Sequence, residues 1–167
     1  MSDSKLPGLK QFEVTDRCAL VTGGSKGLGY AMAAGLASAG ANIALLNRNL
    51  ADGEAAAKQL ANDYGITAKA YAANVTDLPE VEKVVSAIIE EFGRLDILIN
   101  SAGINIRGAI DELTPDEFNQ VMKVNVDGTW NASRAVVPQM KKQGSGKIIN
   151  MASTLGLVGL ANRTPYA

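Results

Sequence analysis

Residues Ala19 to Gly29, Ala-Leu-Val-Thr-Gly-Gly-Ser-Lys-Gly-Leu-Gly, constrain what this chain can fold into more than any other segment. A short apolar, partly β-branched run that breaks into glycines reads as a buried strand entering a tight turn. From Leu28 to Ala39 small and apolar residues dominate, the pattern of a helix lying close against a sheet. A strand, a glycine turn and a helix start form one half of a dinucleotide site. The helix start offers free N–H groups and a positive dipole end to a pyrophosphate, and the glycines let the backbone turn tightly and come close to it. The spacing Gly23, Gly27, Gly29 is G-x-x-x-G-x-G, not the more common G-x-G-x-x-G.

Strand and helix signals alternate along the rest of the chain. Residues 1 to 16 read as an irregular lead-in with a turn at Pro7-Gly8, and Gly40 closes the first helix. Ile43 to Leu46 is a second buried strand, and Asn49 caps a second helix that stops at Gly65. Thr67 to Ala72 is a weaker third strand. Asp77-Leu78-Pro79-Glu80 reads as a capping box for a third helix with an apolar face of Val81, Val84, Val85, Ile88 and Phe92. Leu95 to Asn100 is a fourth strand. Thr114-Pro115-Asp116-Glu117 opens a long helix towards Met140, Lys147 to Met151 is a fifth strand, and Ala152 to Ala167 is loop-like. This alternation predicts one α/β domain over residues 1–167, a doubly wound parallel sheet of order 3-2-1-4-5 with right-handed crossovers.

Composition narrows the function. With 167 residues and a net charge of −1, the chain has length for one core and no charge footing for nucleic acid or an anionic membrane. The N-terminus is no signal peptide, and no apolar run is long enough to span a bilayer, which fits the cytoplasm. The single Cys18 reads as a small core residue. There is no histidine, which excludes Ser-His-Asp and Cys-His nucleophile systems and the usual zinc sites, so no metal is expected. Acid–base chemistry near neutral pH then falls to Tyr, Lys, Asp or Glu.

The full string Thr22-Gly23-Gly24-Ser25-Lys26-Gly27-Leu28-Gly29 resembles the cofactor fingerprint of the classical short-chain dehydrogenase/reductase family, which binds NAD or NADP on a Rossmann-type sheet. Asn100-Ser101-Ala102-Gly103 at a strand end is similar to that family's N-N-A-G motif, with Ser101 in place of the second Asn. Asn is a poor residue for a helix interior. In the family, an Asn in a Val-Asn-Val context, here Asn125 beside Val121, Met122 and Thr129, perturbs the helix and supports a water in a proton relay. Ser153 follows the fifth strand and Tyr166 stands thirteen residues later, resembling the catalytic Ser and the Tyr of Y-x-x-x-K. The resemblance implies hydride transfer between the nicotinamide and a carbonyl or secondary alcohol. Tyr166 is then the general acid in reduction and Ser153 orients the substrate oxygen. The loop Gly103-Ile104-Asn105-Ile106-Arg107-Gly108 is similar to members acting on gluconate-type sugar acids, polyols or 3-oxoacyl thioesters.

For the cofactor, the resemblance assigns Thr22, Gly23, Ser25, Gly27, Leu28 and Gly29 to the pyrophosphate side, Asn74 and Val75 to the adenine, and Asn100, Ala102 and Gly103 to the strand-end contact. NAD sites place a carboxylate at the end of the second strand. Here Asn47-Arg48 stands there with Lys26 nearby, and two cations suit a 2′-phosphate, so NADP(H) is expected over NAD(H). The family's Lys falls three positions beyond Ala167. It lowers the tyrosine pKa, and moving a phenol from ~10 to ~7 takes about 4 kcal/mol. The chain is therefore expected to be the N-terminal part of a longer, homo-oligomeric enzyme, with apolar surface exposed on the fourth and fifth strands and a bare edge on the fifth. A non-catalytic nucleotide-binding or interaction module is the alternative; it needs the fingerprint but not Ser153 and Tyr166.

Overall fold

The computed structural model describes residues 8–166, so the turn expected at Pro7 lies outside the described residues. Five strands form one parallel sheet in the order β3-β2-β1-β4-β5: β1 Cys18–Thr22, β2 Asn42–Asn47, β3 Ala68–Ala72, β4 Ile97–Asn100 and β5 Lys147–Asn150. The expected topology is found. The lead-in is less irregular than its composition suggested, since Gly8–Phe12 forms a short 3₁₀ turn.

A parallel sheet must be covered on both faces, and the chain does so with two pairs of helices. Helices α1 (Gly27–Ser38) and α2 (Leu50–Tyr64) bury Ala33, Ala37, Ala56, Ala57 and Leu60 against Ala19, Val21, Ile43 and Leu45. Because α1 meets the sheet through Gly29, Ala33 and Ala37, one side of it lies close to the strands. On the other face, α3 (Leu78–Phe92) packs Val81, Val84, Val85 and Ile88, and α5 (Gly128–Gln143) packs Ala132, Val136 and Met140, over Leu20, Leu46 and Leu98.

The caps follow local chemistry. Asn49 accepts from the Ala51 and Asp52 N–H groups, and Thr114 and Glu117 close a reciprocal capping box on α4 (Pro115–Met122). The box expected at Asp77 is only half made. Asp77 Oδ1 accepts the Glu80 N–H at 3.0 Å, whereas Glu80 reaches back to the Asn74 N–H at 2.9 Å. That carboxylate stabilises the preceding loop instead of its own helix start.

Two further expectations need correction. The long helix is interrupted: between α4 and α5, Lys123–Asp127 adopts a π-helical turn with Asn125 at its centre. The loop-like tail contains one turn of helix, α6 (Leu155–Val158). Of the two strands expected to expose apolar surface, only β5 does. It pairs with β4 alone and leaves Ile148 37% and Ile149 47% exposed. Strand β4 is buried because Leu98 lies under α3 and α5 while Ile97 and Ile99 join the core on the opposite face. Among the described residues no helix is long and apolar enough to cross a membrane.

Candidate active site

The carboxyl ends of β1, β2, β4 and β5 open into one cavity of about 1040 Å³, at the sheet edge where doubly wound folds bind ligands. Strand β1 enters it through a turn whose geometry excludes side chains. Gly23 has φ +66, and a Cβ there would lie 2.9 Å from Ala102 Cα. A Cβ on Gly29 would lie 2.4 Å from the Gly23 carbonyl oxygen. The turn is closed on itself and on the β4 end, and Lys26, Leu28 and Gly29 at the start of α1 line the cavity.

Side chains hold this frame from beneath. Thr22, 1% exposed, accepts the N–H groups of Ser101 and Ala102 with Oγ1, both at 3.1 Å, and so ties β1 to the β4 end. Asn47 Oδ1 accepts the Ser25 N–H at 3.0 Å, tying the β2 end to the glycine turn. Asn100 donates to Ser133 Oγ at 3.0 Å and to Asn150 Oδ1 at 2.9 Å, joining β4 to α5 and to its register partner on β5. Two buried polar atoms, Asn47 Nδ2 and Asn100 Oδ1, have no partner among the described residues, and both residues line the cavity.

The π-helical turn presents Asn125 to the loop after β4. Its Oδ1 accepts the Ile104 N–H at 2.9 Å, its Nδ2 donates to the Ile104 carbonyl at 3.0 Å, and Thr129 Oγ1 donates to the Asn125 carbonyl at 2.8 Å. The wide turn is what frees a mid-helix Asn to reach across to another segment. Beyond the end of β3, Asn74 Oδ1 accepts the Thr76 N–H at 3.1 Å, and Asn131 Nδ2 on α5 donates to the Val75 carbonyl at 3.0 Å. Ser153 accepts the Leu155 N–H at 3.1 Å and so starts α6.

Gly23, Ser25, Lys26, Leu28, Gly29, Asn47, Arg48, Asn74, Val75, Asn100, Ala102, Gly103, Asn125, Ser153 and Tyr166 all line this one cavity. Thr22 and Gly27 do not: Thr22 supports the wall from below, and Gly27, at φ +58, shapes the turn with open space around it. The amide oxygen of Asn47 serves the glycine turn, so its role is positional and Lys26 and Arg48 carry the charge at that end. Sequence reasoning left Asp52 and Asn150 out of the site and named Thr129 only as a neighbour of Asn125. Thr129 was recognisable as the i+4 neighbour of Asn125, and Asn150 as the second strand-end Asn.

Charge is distributed unevenly between the two ends of the sheet. At the amino ends, Asp96 takes Arg94 at 2.7 Å, Arg17 at 3.2 Å and the Cys18 N–H at 3.0 Å. Burial alone would raise its pKa, but Arg94, the Cys18 N–H and Arg17 together hold that carboxyl below the usual carboxylate range. Cys18 beside it is pushed up to about 12, by burial first and by Asp96 second. At the carboxyl ends, Lys26, Arg48 and Asp52 line the cavity, and none is in an ion pair among the described residues.

Comparison with known proteins agrees with this geometry. The profile of the family described as short chain dehydrogenase matches residues 17–167. The chain is 37% identical over 155 residues to D-threitol dehydrogenase of Mycolicibacterium smegmatis, covering 93% of this chain and 59% of that protein. It is 35% identical over 153 residues to a 3-oxoacyl-[acyl-carrier-protein] reductase of Staphylococcus aureus, covering 90% of this chain and 61% of the relative. A crystal structure of NAD+-bound xylitol dehydrogenase superposes with a TM-score of 0.87 at 33% identity, over 91% of this chain and 58% of that one. The chain thus spans about three fifths of the length of these relatives.

Proposed function

The chain belongs to the short-chain dehydrogenase family, and from that premise we propose that it is the cofactor-binding and catalytic part of an NADP(H)-dependent oxidoreductase acting on a carbonyl or secondary alcohol. The observation that carries this reading is convergence. The glycine turn, the β4 end, the π-helical Asn125, Ser153 and Tyr166 are far apart in sequence yet line one cavity. The cavity suits a dinucleotide: the turn leaves no room for a Cβ at Gly23 or Gly29, and Asn100 keeps an unpartnered Oδ1 at the strand end.

The bound nicotinamide supplies or accepts the hydride, and the protein's share is to position, to exclude water and to move the proton. In reduction the Tyr166 hydroxyl would give its proton to the substrate oxygen, and in oxidation the phenolate would take that proton back. Ser153 Oγ, already accepting from Leu155, keeps its own proton to donate to the same oxygen. Asn125 holds Ile104 in place through two hydrogen bonds and fixes the loop that closes one side of the cavity. Lys26 and Arg48, in no ion pair among the described residues, would meet a 2′-phosphate, which favours NADP(H) over NAD(H). Sugar acids, polyols and 3-oxoacyl thioesters are the substrate classes to test, and the cytoplasm is the expected location.

The reading extends to self-association. Phe118, Met122, Val126 and Trp130 recur at every fourth position and are 44%, 37%, 51% and 64% exposed; Met122 and Val126 also border the cavity, and Phe118 and Trp130 carry the apolar surface beyond it, which suits a second copy. Sedimentation at several concentrations tests it.

The test of function is NADPH-dependent turnover on a carbonyl panel with the parent chain and Tyr166→Phe. The expected loss is about 100-fold or more. Turnover unchanged by that substitution contradicts the catalytic assignment, and NADH binding tighter than NADPH contradicts the cofactor choice.

A further inference from the structure

The end of β2 carries no carboxylate, but the fold brings one to the same cleft a helical turn later. Asp52 lies exposed in the first turn of α2, with its N–H held by Asn49 Oδ1 at 3.4 Å. It lines the main cavity and also a shallower lobe of about 500 Å³ between α1 and α2, bounded further by Tyr30, Ala56 and Gln59. The two spaces share Ser25, Lys26 and Asp52 as a common wall. Lys26 and Asp52 face the same opening, yet they form no ion pair within 4 Å. In a doubly wound fold the adenosine of a dinucleotide would lie here, between the glycine turn and the β2 end.

We propose that Asp52 is a specificity-determining residue that opposes the 2′-phosphate and holds the preference for NADP(H) over NAD(H) to a modest ratio. This rests on reading the cleft as a dinucleotide site with Lys26 and Arg48 at its phosphate end. A 2′-phosphate brings a charge near −2. Lys26 and Arg48 attract it, while the carboxylate at the shared wall repels it. A cofactor without that phosphate presents a ribose hydroxyl, which donates to the same carboxylate. The Asn47 oxygen already accepts the Ser25 N–H and carries no charge, so Asp52 is the one carboxylate that lines this end of the cleft among the described residues. Asp52 therefore separates the two cofactors by chemistry, and its effect runs against that of the two cations.

The experiment measures dissociation constants of NADPH, NADH, adenosine 2′,5′-bisphosphate and AMP for the full chain and for Asp52→Asn, with Asp52→Ser as a second variant. The substitution is expected to tighten NADPH and the bisphosphate about fivefold while NADH and AMP stay within about twofold or weaken. The gain should shrink in high salt. A common change in all four ligands would mean that Asp52 acts only on the start of α2, and no change in any ligand would mean that it does not face the phosphate; either overturns the proposal. A parent chain that prefers NADH overturns the roles of Lys26 and Arg48, while the shift in ratio still decides for Asp52. Failure of the parent chain to bind either dinucleotide overturns both.

Discussion

Replacing Thr22 with Val tests the joint on which the site is built. The substitution keeps the volume of a side chain that is 1% exposed, and removes only the hydroxyl that accepts the Ser101 and Ala102 N–H groups. An orphaned backbone donor costs about 1–3 kcal/mol when buried. Ser101 and Ala102 are half-buried, so water reaches them in part and the low end of that range applies. The expected loss for Thr22→Val is then about 2–3 kcal/mol in all. Thr22→Ser keeps the acceptor and deletes one methyl, which costs about 1 kcal/mol. Urea unfolding followed by circular dichroism reads both, with an unchanged slope if compactness is preserved. Because the same two residues form the cavity wall against Gly23, NADPH affinity should fall about tenfold in the Val variant, the equivalent of ~1.4 kcal/mol, and about threefold at most in the Ser variant. If the Val and Ser variants are equally stable, or if Val matches the parent within about 0.5 kcal/mol, the hydroxyl does not hold the joint.

Three other outcomes follow from the geometry. Asn125→Ala removes both bonds to Ile104, so amide exchange over residues 103–108 should accelerate and NADPH affinity drop about fivefold; an unchanged exchange pattern would show that the loop is held by other means. Asp96 is depressed in the folded chain, so it contributes stability at neutral pH that is lost as pH falls from about 5 through its folded value. Asp96→Asn should cost about 2 kcal/mol at pH 7, after discounting for the half-exposed arginines, and flatten the acid limb of the stability profile, whereas a parallel acid limb in the variant would refute the assignment. Cys18, raised to about 12 by burial, should resist aromatic disulfide reagents at pH 8 until urea unfolds the chain; rapid labelling of the folded chain would contradict its burial.

Much of this architecture is legible in local chemistry. The strand order follows from alternation of apolar runs with capped helices, and Asn49, Asp77 and Thr114 mark helix starts because their side chains accept first-turn N–H groups that have no acceptor within the helix. Less legible are features set by partners distant in sequence. Glu80 has the spacing of a capping box but serves the Asn74 N–H, since the Asp77 N–H is already given to the Asn74 carbonyl at 2.9 Å. Asn125 marks a disturbed helix, yet its clamp on Ile104 spans 21 residues, and the hold of Asn131 on Val75 spans 56. The orientation of Asn47 depends on where the glycine turn comes to rest, which is a tertiary matter. Asp52 looks like an ordinary acidic residue near a helix N-terminus until the fold places it on the cavity wall.

The measurement that bears most directly on the proposed dinucleotide site is amide hydrogen exchange of the chain with and without saturating NADPH. New protection is expected in Gly23–Gly29, Asn47–Asp52, Asn74–Thr76 and Asn100–Ile104, the segments that frame the cavity, with little change at the Asp96 end of the sheet. Saturable NADPH binding with protection confined to other segments, or no protection at all, would contradict the proposed site.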